Sequence, residues 1–225
     1  MTFGLFGLKS ALVIFLTLIL ISGCSLLPDR VAKKTFMLPA PELAPSGRPA
    51  PNLTLRVLTP QAEEPLDGTR ILVNPDGQTI QAYGGVRWVK TTPILIRDHW
   101  VEGLRQSGGF NAVVSETSNA MSELSLSSEL TRFQVHYPQG AAEIVIQLDA
   151  QVLDSQSRRV IAAQRFRVQW SIADQPIETV VAGFGEASQA LTLEMADWLL
   201  SVSRELYEET DQARPPSGTG SSTRK

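Results

Sequence analysis

From Glu143 to Val152 the chain alternates, with Ile144, Ile146, Leu148, Ala150 and Val152 on one side and Glu143, Gln147, Asp149 and Gln151 on the other, Val145 being the one apolar residue on the polar side. A period of two predicts a β-strand with one dry and one wet face. The pattern repeats downstream, where Phe166, Val168, Trp170 and Ile172 alternate with Arg165, Arg167, Gln169 and Ser171. Asp154 to Arg158 then reads as the hairpin loop between the two strands. A third run, Leu130 to Tyr137, is expected beside them, turning at Pro138-Gln139-Gly140.

Something has to cover the dry face, and two segments have the period of a helix. Leu191, Met195, Trp198, Val202 and Leu206 recur at helical spacing, with Glu194, Asp197, Arg204 and Glu205 on the opposite side. Thr91-Thr92-Pro93 reads as a helix start, with a hydroxyl at the cap and proline in the first turn. Ile96, Trp100 and Leu104 follow four apart and Gly108-Gly109 closes the segment, so residues 93–107 are expected to be helical. Short strands are expected at Leu53 to Leu58, Arg70 to Val73 and Asn111 to Ser115, and an irregular edge through Ile80, Tyr83 and Trp88. Asn74-Pro75-Asp76-Gly77 makes a turn. Arg70–Val73 and Ala112–Val114 would form a parallel pair across the first helix. Ile177 to Val181 reads as strand-like, with Gly183-Phe184-Gly185 opening the last helix. The fold class expected is α+β: a mixed, largely antiparallel sheet with two main helices packed on one face.

The two ends of the chain differ from this body. Ala11 to Ile21 is apolar apart from Thr17 and uncharged, and is preceded by one charge, Lys9. It is short for a bilayer span, which takes about 20 apolar residues, and it suits the apolar region of an export signal. The alternative, one membrane helix from Phe3 to Ile21, would have to bury Lys9. Ile21-Ser22-Gly23-Cys24 resembles the bacterial lipobox, with cleavage between Gly23 and Cys24 and acylation of the Cys24 thiol. The expected organisation is therefore a signal peptide over 1–23, a proline-rich tether over 24–51, one domain over 52–210 and a disordered tail over 211–225. Within the tether, a short strand near Thr35 to Leu38 could dock on the body.

Cys24 is the only cysteine, so no intrachain disulfide can form. Removing residues 1–23 takes one of 20 basic side chains and none of 23 acidic ones, leaving 19 − 23 = −4. No basic patch points to nucleic acid. Ser25, rather than aspartate, follows the cysteine, which under the general sorting rule for such lipoproteins favours the outer membrane over retention at the inner one.

Candidate chemistry is sparse. His99 and His136 are the only histidines, without cysteine or carboxylate at metal-ligand spacing, and both read as packing or surface residues. No Gly-x-Ser-x-Gly elbow is present. Gly183 to Ser188 looks like a dinucleotide-binding turn, but no strand follows the helix, so a glycine-containing helix start is the better reading. Arg165 and Arg167 read as a solvated strand face paired to acids such as Asp149 or Glu143. Neither a catalytic group nor a metal or cofactor site is expected.

The order of features resembles one family, the ABC-type transport auxiliary lipoproteins. The matching features are the lipobox cysteine, Phe36-Met37-Leu38, Arg70-Ile71-Leu72-Val73-Asn74-Pro75, Tyr83, Arg87-Trp88, Pro93-Ile94-Leu95, Glu129-Leu130 to Phe133, the long hairpin and the tryptophan-bearing last helix. The resemblance implies an outer-membrane lipoprotein facing the periplasm. Its partners would be an MCE-domain protein and an ABC permease/ATPase system that moves lipid between membranes, with the covalent lipid on Cys24 as its only non-protein group. Tyr83 and Trp88 match the family pattern and are candidates for partner contact or packing. An assembly lipoprotein of another envelope machine, for lipopolysaccharide export or secretion, is the alternative, and an envelope hydrolase a weaker one.

Overall fold

The structure is a computed structural model that describes residues 33–45, 47, 52–173 and 176–212. The signal peptide, Gly23, Cys24, residues 25–32, 46 and 48–51 of the expected tether and residues 213–225 of the expected tail lie outside the described residues, while residues 211 and 212, also expected in the tail, belong to the last helix. The elements are β1 (Lys34–Phe36), β2 (Thr54–Val57), β3 (Leu72–Asn74), β4 (Gln81–Ala82), β5 (Val86–Trp88), α1 (Thr92–Gln106), β6 (Ala112–Ser115), β7 (Leu124–His136), β8 (Glu143–Asp154), β9 (Val160–Ser171) and α2 (Ile177–Gln212).

β7, β8 and β9 form an antiparallel meander. Its inward rows are continuous across the ladders: Leu126 faces Val152, Leu130 faces Leu148 and Phe133 faces Ile146. Ile146 in turn faces Val168, and Leu148 faces Phe166. Both helices pack on this side, α1 against β6 and β2, and α2 against β8 and β9. The fold is the expected α+β arrangement of two helices on a mixed, mostly antiparallel sheet.

β7 begins six residues before the expected strand. Its first half reads Leu124-Ser125-Leu126-Ser127-Ser128-Glu129, in which serines dilute the apolar signal. A register shift between Leu130 and Arg132 lets Leu130 and Phe133, three apart, face the same core.

The expected parallel pair of Arg70–Val73 with Ala112–Val114 does not form. β6 instead lies parallel to β2, Thr54 opposite Ala112, while β3 lies parallel to the far end of β7, Leu72 opposite Gln134. The reason is the length of β7, whose 13 residues accommodate β2 and β3 in tandem along one edge. The chain leaves that edge after Gln61, which bridges Glu129, and returns at Leu72.

The strand-like stretch Ile177–Val181 is the first turn of α2. Its β-branched residues favour strand locally, but Val180, Phe184, Ala187 and Leu191 lie three or four apart and are all buried, and that tertiary period prevails. α1 starts and stops as expected, but the Thr91 side chain makes no capping hydrogen bond. Thr92 Oγ1 instead donates to Gly68 O at 3.2 Å. Gly108, at φ 65°, takes the left-handed turn after the helix. The last inward position of β9, Trp170, is 39% exposed, on an edge strand flanked only by β8. Among the described residues no helix is long and apolar enough to cross a membrane.

Candidate functional site

Residues 33–45 do not leave the body as a spacer; they lie along it as a strap. β1 adds in parallel to β5, with Phe36 opposite Trp88, and Val89 N donates to Phe36 O at 2.8 Å. The chain then runs over both helices. Pro41 is buried and Leu43 is 7% exposed. Leu43 N donates to Gln106 Oε1 of α1 at 2.9 Å, and Glu42 N donates to Gln189 Oε1 of α2 at 3.0 Å. Lys34 pairs with Glu178 at the start of α2. Past β1, Pro39, Pro41 and Pro45 have no N–H to offer a ladder, and the amides of Glu42 and Leu43 are received by helix side chains instead.

Two glycines clear the strap's path. A Cβ on Gly103 would lie 2.7 Å from Thr192 Cγ2 and 3.4 Å from Pro41 Cβ, and one on Gly185 would lie 2.7 Å from Pro39 Cγ. Glycine within a helix costs about 1 kcal/mol against alanine, so each needs a packing reason, and the strap together with the α1–α2 contact supplies it. Gly183 has a different neighbour, since a Cβ there would meet Ile172 Cγ2. The glycine pair therefore sits inside a helix and packs against chain on two sides, rather than shaping a helix start.

Gly185→Ala isolates the strap contact. Helix propensity alone would stabilise this variant by about 1 kcal/mol, yet the new methyl meets the rigid ring of Pro39. The expected outcome is faster amide hydrogen exchange at Leu43 with α2 still protected; unchanged strap protection would show that the glycine is not what admits the strap.

His99 anchors the middle of the strap. It is 5% exposed, and its Nδ1 lies 3.1 Å from Pro39 O, which makes Nδ1 the donor to that carbonyl. Nε2 is buried without a partner. Burial pushes the ring down to a pKa of about 4 from the ordinary 6.5, and the Pro39 carbonyl offsets only part of that. The packing role expected for His99 holds. His136 lies at the end of β7 with Nδ1 3.3 Å from Asn74 O.

Trp88 is 1% exposed and makes edge contacts with Phe133 and Phe184 at ring distances of 6.1 and 5.4 Å. It is a core residue. Tyr83 is half-buried, with its hydroxyl 3.4 Å from that of Tyr137. Arg165 grips Asp149 with two hydrogen bonds of 2.6 and 2.8 Å across the open face, which holds the Asp149 carboxyl below the usual range. Arg167 lies 3.5 Å from Gln147 Oε1 rather than on an acid.

Arg97, 9% exposed, ties α1 to the ends of two strands. It donates to Thr59 Oγ1 at 2.8 Å and to Glu116 Oε1 at 3.2 Å. Burial is the largest single influence on Glu116 and raises its pKa, but bonds from Thr59 and Arg97 together outweigh it, and the carboxyl lies below its ordinary value. An open hollow of about 840 Å³ lies at the β8–β9 turn, bordered by Arg56, Met121 and Asp154. Arg56 is committed to the backbone carbonyls of Ser115, Ser118 and Ala120, and Asp154 accepts from Ser157 N at 2.6 Å. Among the described residues no group of three or more His, Cys, Asp or Glu is placed to hold a metal ion.

One family model, the ABC-type transport auxiliary lipoprotein component, matches residues 36–196, which take in most of the strap, α1, the main sheet and the first part of α2. The chain belongs to that family. The match begins at Phe36, inside the strap. Protein XCC0632 from Xanthomonas campestris, assigned to DUF330, is 25% identical with a TM-score of 0.72, over 78% of this chain and 99% of that one. A second crystal structure, of an uncharacterized protein, shares the fold at 15% identity and a TM-score of 0.60, over 75% of this chain and 99% of the other. No curated protein matches the chain.

The sequence expected a docked strand near Thr35–Leu38, but it missed the onward path over Gly103, His99, Gln106, Gly185 and Gln189. Gly103 and Gly185, each inside an amphipathic helical pattern, were the one available signal.

Proposed function

We propose that this auxiliary component is the lipid-anchored, non-catalytic adaptor of an ABC/MCE-type intermembrane lipid transport system, acylated at Cys24 and held at the outer membrane facing the periplasm. The observation that carries the reading is the family match, which runs from the strap into the last helix. The strap supports it mechanically. Its first described residue, Lys33, is nine positions from Cys24, a covalent reach of at most about 30 Å. A docked strap therefore keeps the body close to its anchor and raises the local concentration of any docking surface near that membrane. An adaptor needs position and surface rather than a nucleophile.

The test has two parts. Cys24→Ala should move the protein from the membrane to the soluble periplasmic fraction without changing its fold, and crosslinking of the wild-type protein in membranes should recover an MCE-domain protein. Retention of the alanine variant in the membrane would remove the anchor. Recovery of secretion or lipopolysaccharide-export components in place of an MCE-domain protein would remove the transporter assignment.

A further inference from the structure

The β1–β5 ladder has two faces. Phe36 and Trp88 point inward, and the residues after them, Met37 and Val89, point outward, 72% and 48% exposed. They are neighbours, since Val89 N bonds Phe36 O, and both border a shallow apolar hollow of about 180 Å³ with Pro39 and Leu95. Arg87 lies on the same outer side, its Nε 3.4 Å from Thr35 Oγ1. Lys33, exposed, precedes the ladder directly. Two of the acids near this face are paired with cations, Asp98 with Lys90 and Arg97 and Glu178 with Lys34; Glu102 keeps its charge and accepts from Gln106 at the border of the hollow.

Two adjacent exposed apolar side chains flanked by cations that form no salt bridge among the described residues suit the headgroup region of a bilayer, where apolar groups enter the acyl boundary and basic groups meet anionic lipid. The position of this face decides between occupants. The ladder begins at the described residue nearest to Cys24 in the chain, nine positions away, so it is the part of the body that the anchor holds closest to lipid. We propose that the outer face of the β1–β5 ladder, Met37 and Val89 with Lys33 and Arg87, is a membrane contact that seats the body on anionic headgroups of the bilayer holding its anchor. This rests on the reading of Cys24 as the acylated residue.

The experiment uses the full-length acylated protein in vesicles of phosphatidylcholine with phosphatidylglycerol. Acylation consumes the thiol of Cys24, so Met37→Cys or Val89→Cys provides a single labelling site for an environment-sensitive fluorophore, and Gln151→Cys on the open sheet face serves as reference. Labels at 37 and 89 are expected to shift to the blue and to be quenched by headgroup-nitroxide lipids at least about twofold more than the label at 151. Phosphatidylcholine alone or high salt should reduce that difference. Equal quenching at all three positions, in protein that floats with the vesicles, overturns the contact while leaving the anchor standing. A blue shift without nitroxide quenching assigns the face to a second protein chain and also overturns it. Failure to float with the vesicles removes the anchor and the contact with it.

Discussion

Replacing Trp88 with alanine is expected to destabilise the domain by about 4 kcal/mol, a large share of the roughly 5–15 kcal/mol that holds a domain of this kind folded. Trp88 is 1% exposed and sits at the centre of an aromatic cluster, with Phe133 and Phe184 themselves stacked at 4.6 Å. The alanine variant loses the buried area, leaves a cavity between sheet and α2, and forfeits two edge contacts worth about 0.5–1.5 kcal/mol each. The strap should loosen as well, because β1 is paired to the strand that carries this residue. Trp88→Phe retains most of the volume and should cost about half as much. Urea unfolding of the two variants measures the difference. Were Trp88 a partner-contact residue, the alanine variant would unfold at the wild-type denaturant concentration and fail only in partner capture.

The same residue shows what the sequence could and could not give. An aromatic after a strand is compatible with either a contact or a core role, and only the position of α2, almost 100 residues downstream, places Phe184 over its ring. The β8–β9 hairpin was legible because both of its strands carry their own alternation, so each residue declares its face locally. The first half of β7 was not, because Ser125, Ser127 and Ser128 blur that alternation and the strand is held by neighbours on both edges. The pairing of β6 with β2 rather than β3 had no local signal at all, since either short strand satisfies the pattern and β7 decides where each one lies. The strap was half legible: its strand could be expected, but its route depends on glycines and amides located on the helices.

Acidification from pH 7 to pH 5 is expected to reduce stability by about 2 kcal/mol through His99 alone, approaching about 3 kcal/mol once pH falls below the folded pKa. The sign follows from the two protonation states. In the folded protein His99 stays neutral down to about pH 4, whereas the solvent-exposed ring takes its proton at 6.5. Between those values the unfolded chain binds more protons than the folded one, so stability is complete above pH 6.5 and is lost progressively as pH falls toward 4. The charged groups bordering the hollow beside His99 are Lys90, Asp98 and Glu102; Lys90 is committed to Asp98, and Glu102 accepts from Gln106. His99→Gln retains a donor for the Pro39 carbonyl without the titration, so its stability should vary much less between pH 7 and pH 5, read as the shift in urea midpoint at each pH. Because the ring is covered by Pro39, the strap is the element whose lifting would hydrate a protonated His99 at least cost. Hydrogen exchange at pH 5 should therefore show residues 33–45 opening before the sheet does, and in His99→Gln the strap should keep its protection at both pH values. Equal acid sensitivity in the two proteins would place the titration elsewhere.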